Sequence, residues 1–514
     1  MMGTKGMRVS IGMVLFILFV VVYLELRQTV LMPERISVAD FIKPTHNGLP
    51  FRLKDYKPPP FSEKDSFADV VEKYADDKKR LCITVISKNY VEMALNFLKS
   101  SASHLVNSGH NFLLVTTDDK AHDMLLKGGV PNFFFNETTG LESNQTGLTQ
   151  GHDYGSKHYF FHSNMKTLIM LRILELGYSV LISDADVVVF KDPFPYYNCE
   201  TCDIHTQRDR VQFNTGFTYV KPTNISKLLY KTAWDLYNKY HKSHDQIYIN
   251  MALQNLKGQN VTPEIQYMPP KQFMCGVNYY EYGNRMFMGA PCKECVMVHN
   301  NYMGSLSGKV YRFKENLQWY IDDGGYYSSK TRKYISYGNP YFFGDDTVER
   351  EKVALFAALQ IAIATNRTLI LPKFHCCDCK MKKCENTLVR CSLLDVLRLT
   401  TFDSVYAGQY REHVFLRNPL VAQEVKHTRP KNLAVLTKIV KEKESNITES
   451  HTYTLVSFSD KMTDFSSLIK WVSSFNDKIV YFHSLYDVAP AETQKKNPAY
   501  ECVDRQQWDP NYKV

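Results

Sequence analysis

The sequence predicts an α/β fold with a mostly parallel sheet, a membrane helix before it and a second, smaller α/β domain after it. Three observations carry this. β-branched and aliphatic runs of four to six residues alternate with helical stretches from Leu81 onward, a pattern that gives strands joined by crossover helices. Residues 11–24 are almost purely apolar. The strand–helix alternation is interrupted at Asp322-Asp323-Gly324-Gly325 and Ser328-Ser329, then resumes near Asn339, which places a domain boundary between about residues 325 and 338. The 514 residues hold 44 % hydrophobic and 22 % charged side chains, so a disordered or collagen-like chain is excluded. The net charge of +9 is spread without a block of like charges. It suits solubility and the steering of anionic ligands, and it argues against a nucleic-acid binder.

The elements follow in order. Lys5 and Arg8 precede the apolar run and no acid accompanies them, so residues 1–10 are expected in the cytosol and residues 11–24 as a signal anchor. Glu25-Leu26-Arg27-Gln28-Thr29 offers no small-residue cleavage site, which argues against a removable leader. The run is shorter than the usual span of about 20 residues and suits a thin early-secretory membrane. A type II protein of the Golgi, with everything after residue 25 luminal, is the expectation. Six Asn-X-Ser/Thr acceptors agree with a lumen, at Asn136, Asn144, Asn224, Asn260, Asn366 and Asn446. So do 12 cysteines, an even number, read first as disulfides. The C-x-x-C pairs Cys199/Cys202 and Cys292/Cys295, and the cluster His375-Cys376-Cys377-Asp378-Cys379, keep a zinc site open as the rival reading.

Residues 25–78 contain Pro33, Pro44, Pro50 and Pro58-Pro59-Pro60 with little periodicity and are expected as a luminal stem. Strands are expected at 83–87, 112–117 and 180–182, with helices near 91–102 and 164–176, the latter apolar on nearly every face. This first domain spans 79–328. The second, 335–514, should hold a long helix at 348–364 and strands at 368–371, 453–457 and 478–482.

Chemistry concentrates at Asp184-Ala185-Asp186. Two carboxylates spaced i, i+2 directly after a buried strand sit at the strand's carboxyl end, the edge where parallel sheets bind ligands. Two hard oxygen donors suit Mg²⁺ or Mn²⁺, which would bridge the oxygens of a diphosphate. A solvated turn would not lie between Val180-Leu181-Ile182 and Val187-Val188-Val189.

Lys166, Leu174-Glu175-Leu176-Gly177-Tyr178, Asp184-Ala185-Asp186-Val187 and Asp192-Pro193, followed by Phe213-Asn214-Thr215-Gly216-Phe217, Asp245-Gln246 and His299-Asn300, resemble the nucleotide-diphospho-sugar transferase domain of glycosyltransferase family 77, the family of plant xylosyl- and arabinosyltransferases. The resemblance covers roughly residues 80–320. It implies a GT-A fold with a mixed, mostly parallel, Rossmann-like sheet, a Mn²⁺ or Mg²⁺ cofactor, a UDP-sugar donor, a glycan or glycoprotein acceptor, and retention of configuration. Carried over by position, Asp184 and Asp186 would bind metal and donor, with His299 the third metal ligand through a neutral imidazole nitrogen. Asn89 and Lys166 would contact the donor. Asn214 and Gly216 would form an acceptor-side turn in which glycine admits a sugar ring. Asp245 and Gln246 would lie beside the anomeric carbon, where a carboxylate stabilises oxocarbenium-like charge; the alternative for Asp245 is a helix cap. Lys309 lacks the His-x-x-Gly-x-Lys spacing that would make it a diphosphate ligand.

The run from Glu349 to Pro372 resembles a segment that follows the transferase domain in some plant arabinosyltransferases, and also a helix–strand unit of protein O-fucosyltransferases. The first comparison implies an accessory domain, the second a donor-binding half of another fold; an accessory domain is the expectation, the segment being too short for both halves of a two-lobed enzyme. Two functions stay open at this level: an active retaining glycosyltransferase drawing on xylose, arabinose or galactose donors, and a silent transferase-like luminal scaffold or glycan-binding protein. Retention of Asp184, Asp186 and Asp245 together favours the first.

Overall fold

The computed structural model describes residues 58–62, 64–106, 108–136, 157–209, 212–283, 292–339, 347–378, 383–436, 454–457, 465–486 and 488. The expected cytosolic tail, the anchor at 11–24, most of the stem, and Asn144 and Asn446 lie outside the described residues. Among the described residues no helix is long and apolar enough to cross a membrane.

The packed structure starts earlier than residue 79. Helix α1 (Phe67–Tyr74) opens with a capping box in which the Asp69 backbone N–H donates to Ser66 Oγ and the Ser66 N–H donates to the Asp69 carboxylate. It buries Val70, Val71 and Tyr74. The segment read as stem therefore ends in a core helix, because its last apolar residues fall three and four apart on one face.

The first sheet has seven strands in the order β3-β2-β1-β4-β7-β6-β8. They are β1 (Arg80–Ile86), β2 (Phe112–Thr116), β3 (Phe133–Phe134), β4 (Ser179–Ser183), β6 (Ile204–Asp209), β7 (Gln212–Val220) and β8 (Ile265–Tyr267). The β3-β2-β1-β4 half is parallel, while β7 runs antiparallel to both β4 and β6. The sheet is thus mixed, as the sequence led us to expect. Helices α2 (Val91–Val106), α3 (Asp119–Lys127) and α4 (Lys157–Glu175) connect the parallel strands. Most residues of α4 from Met165 to Leu174 are buried, in keeping with its all-round apolar sequence. Helices α5 (Asn224–Tyr240) and α6 (Asp245–Gly258) pack on α4. A small sheet joins β5 (Val187–Val189), β9 (Phe273–Cys275) and β10 (Met297–His299), with β10 central.

Helix α7 (Leu306–Glu315) leads to the second sheet, where six strands are all parallel in the order β15-β12-β11-β18-β16-β17. These are β11 (Tyr334–Tyr337), β12 (Thr368–Ile370), β15 (Tyr410–Arg411), β16 (Lys431–Leu436), β17 (Thr454–Ser457) and β18 (Ile479–Phe482), with α8 (Thr347–Ala364) crossing from β11 to β12. A hairpin of β13 (Phe374–Asp378) and β14 (Lys383–Cys391) stands apart.

The break in the sequence pattern is a tight turn. Asp322 accepts from the backbone N–H of Tyr327 at 2.7 Å, and Gly324 and Gly325 take φ of 55° and 67°, which closes a tight turn that glycine tolerates. Tyr327 beyond it is fully buried, and one apolar cluster runs from Val187 and Trp319 through Tyr327 to Phe415 and Ile479. The Tyr326 and Tyr327 hydroxyls both donate to Glu412. The two sheets share a core.

Cys199–Cys202 and Cys292–Cys295 are disulfides, and Cys391 is also disulfide-bonded. The expectation of disulfides holds at both C-x-x-C pairs. Asn136, Asn224, Asn260 and Asn366 are all exposed.

Candidate active site

Strand pairing assembles the site. Strands β1 and β4 are parallel neighbours, so the residues after both emerge on one edge. Thr84 on β1 donates to the Ser183 carbonyl at 2.6 Å and ties the two ends together. The Asp184 N–H donates to the Gly216 carbonyl of β7 at 2.7 Å. In the small sheet, His299 on β10 stands opposite Val187 on β5, and the Asn300 N–H donates to the Asp186 carbonyl at 2.8 Å. Two sheets thus bring Asp184, Asp186 and His299 together from segments more than 100 residues apart. His299 Nε2 lies 3.7 Å from Asp184 and 3.4 Å from Asp186.

Gly216 makes this possible. A Cβ there would lie 2.2 Å from His299 Cε1 and 2.8 Å from Asp184 Oδ2. Asn214-Thr215-Gly216 is therefore the middle of a buried strand, not an acceptor-side turn. The space left by the missing side chain is filled by His299, and the Asn214 side chain accepts from the Gly216 N–H while donating to Asp209 at 3.4 Å. The Gly216→Ala variant is expected to lose about 1–3 kcal/mol of stability through overpacking, read by denaturant unfolding; an unchanged midpoint would show that His299 yields freely.

Two lysines balance the carboxylates. Lys309, on the first turn of α7, donates to Asp186 at 2.7 Å. Lys166, on α4, donates to Asp184 at 2.8 Å and pairs with Asp245 at 2.8 Å. Burial opposes ionisation of Asp186, but Lys309 and His299 outweigh it and hold its carboxyl well below the usual carboxylate range. Burial opposes that of Asp245 too, and here Lys166 and His244 prevail in the same direction. Both ammonium groups are buried, yet their carboxylate partners keep them more basic than an ordinary lysine.

A pocket opens above these groups. Its walls include the loop after β1 (Ser87, Lys88, Asn89 and Tyr90), together with Tyr159, His162 and Ser163 of α4, and Lys166, Asp184, Asp186, Asp245 and Lys309. Asn89, Lys166 and Asp245 line this pocket together with the carboxylate pair. Asp245 is the first residue of α6, and Ser163 donates to its carboxylate at 2.6 Å. It faces Lys166 rather than capping its helix, since the cap position belongs to His244. Gln246 departs from expectation: its amide donates to Asp209 at 3.2 Å, and it does not line the pocket with its neighbour. Consecutive residues at a helix start project about 100° apart, so the pair cannot face one spot. Lys309, which lacked the expected spacing, is in the site because α7 folds back onto β10. Ser163 carried no local signal at all.

Residues 107–313 match the family profile described as nucleotide-diphospho-sugar transferase. Over this segment the chain is similar to nucleotide-diphospho-sugar transferases. Asp184, Asp186, Asp245, His299 and Lys309 all fall inside the matched segment, whereas β1 and Asn89 precede it. Curated relatives include a UDP-D-xylose:L-fucose alpha-1,3-D-xylosyltransferase of Arabidopsis thaliana, 28 % identical over 200 residues, 34 % of this chain and 50 % of the relative. An arabinosyltransferase of the same plant is 24 % identical over 368 residues, 63 % of this chain and 54 % of that one. The alignments span about half the length of these relatives. Among solved structures, mouse xyloside xylosyltransferase 1 is similar at 12 % identity and a TM-score of 0.29, covering 44 % of this chain and 99 % of that one.

Proposed function

We propose that this chain is a metal-dependent, retaining glycosyltransferase that moves a sugar from a UDP-sugar to a glycan or glycoprotein acceptor. The observation that carries the reading is the convergence of Asp184, Asp186 and His299 at the pocket that Asp184 and Asp186 line, inside the matched segment. These three offer ligand atoms within 4.8 Å of one another. Two carboxylates and an imidazole suit Mn²⁺, or Mg²⁺ with added waters, and the cradle at Gly216 keeps the imidazole against both acids. Those three residues would hold the ion, which when bound neutralises charge on a diphosphate leaving group.

The chain's own residues account for the rest. Lys309 and Lys166 fix the orientation of Asp186 and Asp184 and add positive charge at the pocket floor. The loop at Ser87–Tyr90 closes one wall, where Asn89 can donate to a nucleotide. Asp245 stays ionised beside Lys166 and supplies negative potential as positive charge grows at the anomeric carbon. The names of the relatives favour a pentose donor, xylose or arabinose. A type II Golgi topology belongs to the same proposal and is supported by the four exposed acceptor asparagines; endoglycosidase treatment of the cell-derived protein should increase its mobility.

The decisive assay is donor hydrolysis and transfer with Mn²⁺ across the common UDP-sugars, with and without chelator. One donor is expected to turn over, and excess EDTA to abolish it. Full activity in EDTA would overturn the metal role, and no turnover of any donor would overturn the enzyme.

A further inference from the structure

We infer that the aromatic pocket beside β3 seats the first sugars of an N-glycan carried by Asn136, an inference that rests on the luminal topology proposed above. Asn136-Glu137-Thr138 is an acceptor triplet. Asn136 is exposed and is itself part of the pocket wall. Asn224, Asn260 and Asn366 are exposed too, but they do not line this pocket.

The pocket lies between α1, α3 and β3 and shares no lining residue with the transferase pocket. Its cavity of about 840 Å³ falls within the range of small-molecule sites, roughly 300–1,000 Å³. Phe61, Phe67, Phe133 and Phe134 line it, and each is only partly buried. The Phe67 and Phe133 rings stand 5.2 Å apart, and Phe61 lies 6.4 Å from Phe133. Leu126, in the last turn of α3, adds a side chain that is 46 % exposed. A contiguous exposed apolar surface of this kind marks a place where something binds.

The chemistry of the wall narrows the occupant. Apart from His122, Asp65 is the one charged residue among those lining the pocket, and Lys73 pairs with it at 2.7 Å, so a neutral ligand fits. That ligand should also carry hydroxyl groups. Asp65 accepts from Lys73 and from the Ser62 N–H, both at Oδ2; among the described residues nothing donates to its Oδ1. His122 Nδ1 donates to Asn132 Oδ1 at 2.8 Å, which leaves Nε2 to accept. A pyranose ring presents a face of C–H groups to aromatic rings and a rim of hydroxyls to such acceptors, whereas a lipid chain has no hydroxyls to give. The attachment point then selects the sugar. An acceptor in the wall holds its glycan at high effective concentration, so even weak contacts keep it docked.

The test expresses the full chain in a glycosylating host, identifies the modified asparagines by mass spectrometry, and follows peptide-N-glycosidase release from the native protein site by site. The Asn136 glycan is expected to leave about tenfold or more slowly than those of Asn224 and Asn366, because only its undocked fraction is open to the enzyme. Leu126→Glu, checked by thermal melt, is expected to bring the Asn136 rate close to the other two without changing theirs. A chain glycosylated elsewhere but bare at Asn136, release from Asn136 as fast as from Asn366, or slow release that Leu126→Glu leaves unchanged would each overturn the inference and give the pocket another occupant. A chain bare at every acceptor would overturn the luminal topology itself, and this inference with it.

Discussion

Asp186→Asn is expected to lower transfer and donor hydrolysis by about 10³-fold or more while leaving the fold intact, which is roughly 4 kcal/mol at 1.36 kcal/mol per decade. Asp186 has two partners, Lys309 at 2.7 Å and His299 at 3.4 Å. The amide keeps the shape but removes the charge that would bind a cation, and it leaves the buried Lys309 ammonium without its carboxylate. Transition-state neutralisation of a diphosphate by a bound ion is worth several kcal/mol, so the loss should appear in turnover and in Mn²⁺ affinity together. Circular dichroism and a thermal melt check the fold. Wild-type turnover in this variant would remove Asp186 from the mechanism.

Asp245→Asn is expected to reduce kcat by about 10²-fold, roughly 2.7 kcal/mol, with little change in donor KM. The carboxylate gains interaction energy as positive charge develops, so it acts on the transition state more than on binding. Its geometry adds a second consequence. Ser163 donates to one oxygen and Lys166 pairs with the other, and the substitution leaves Lys166 with Asp184 alone, so the melting temperature is expected to fall as well. A helix cap would predict neither effect, because Asn caps about as well as Asp. Unchanged kcat would exclude Asp245 from catalysis. Burial resists the charge on Asp245 and Asp186, but their cationic partners hold both carboxyls below the ordinary 3.8. The stability they contribute is therefore fully present above that value and is lost only as pH falls through and below it. Melts between pH 7 and 5 should show no loss from these two groups.

Much of the fold was legible in the chain because short apolar runs report burial locally. Strands β1, β2 and β4 and helices α4 and α8 lie within a few residues of expectation, apart from the start of α4, which comes seven residues early at Lys157. The carboxylate pair was legible for the same reason: an apolar strand placed it at a sheet edge. Two misreadings share an opposite cause. Residues 58–78 looked like stem because proline masked a short amphipathic helix, and the polar composition of Asp322–Gly325, which suggested a boundary, gave no sign that Tyr327 behind it is buried.

The sequence by itself determined which residues carry charge, which segments must be buried, and that Asp184 and Asp186 emerge from a buried strand. The tertiary structure alone decided their company. Lys309 reaches Asp186 across 123 positions and Ser163 reaches Asp245 across 82, and only the pairing of β5 with β10 puts His299 beside both carboxylates. Gly216 was read as room for a sugar and proved to be room for an imidazole. Periodicity encodes which face of a segment is buried, but not which distant segment lies against it; that choice belongs to strand order and register.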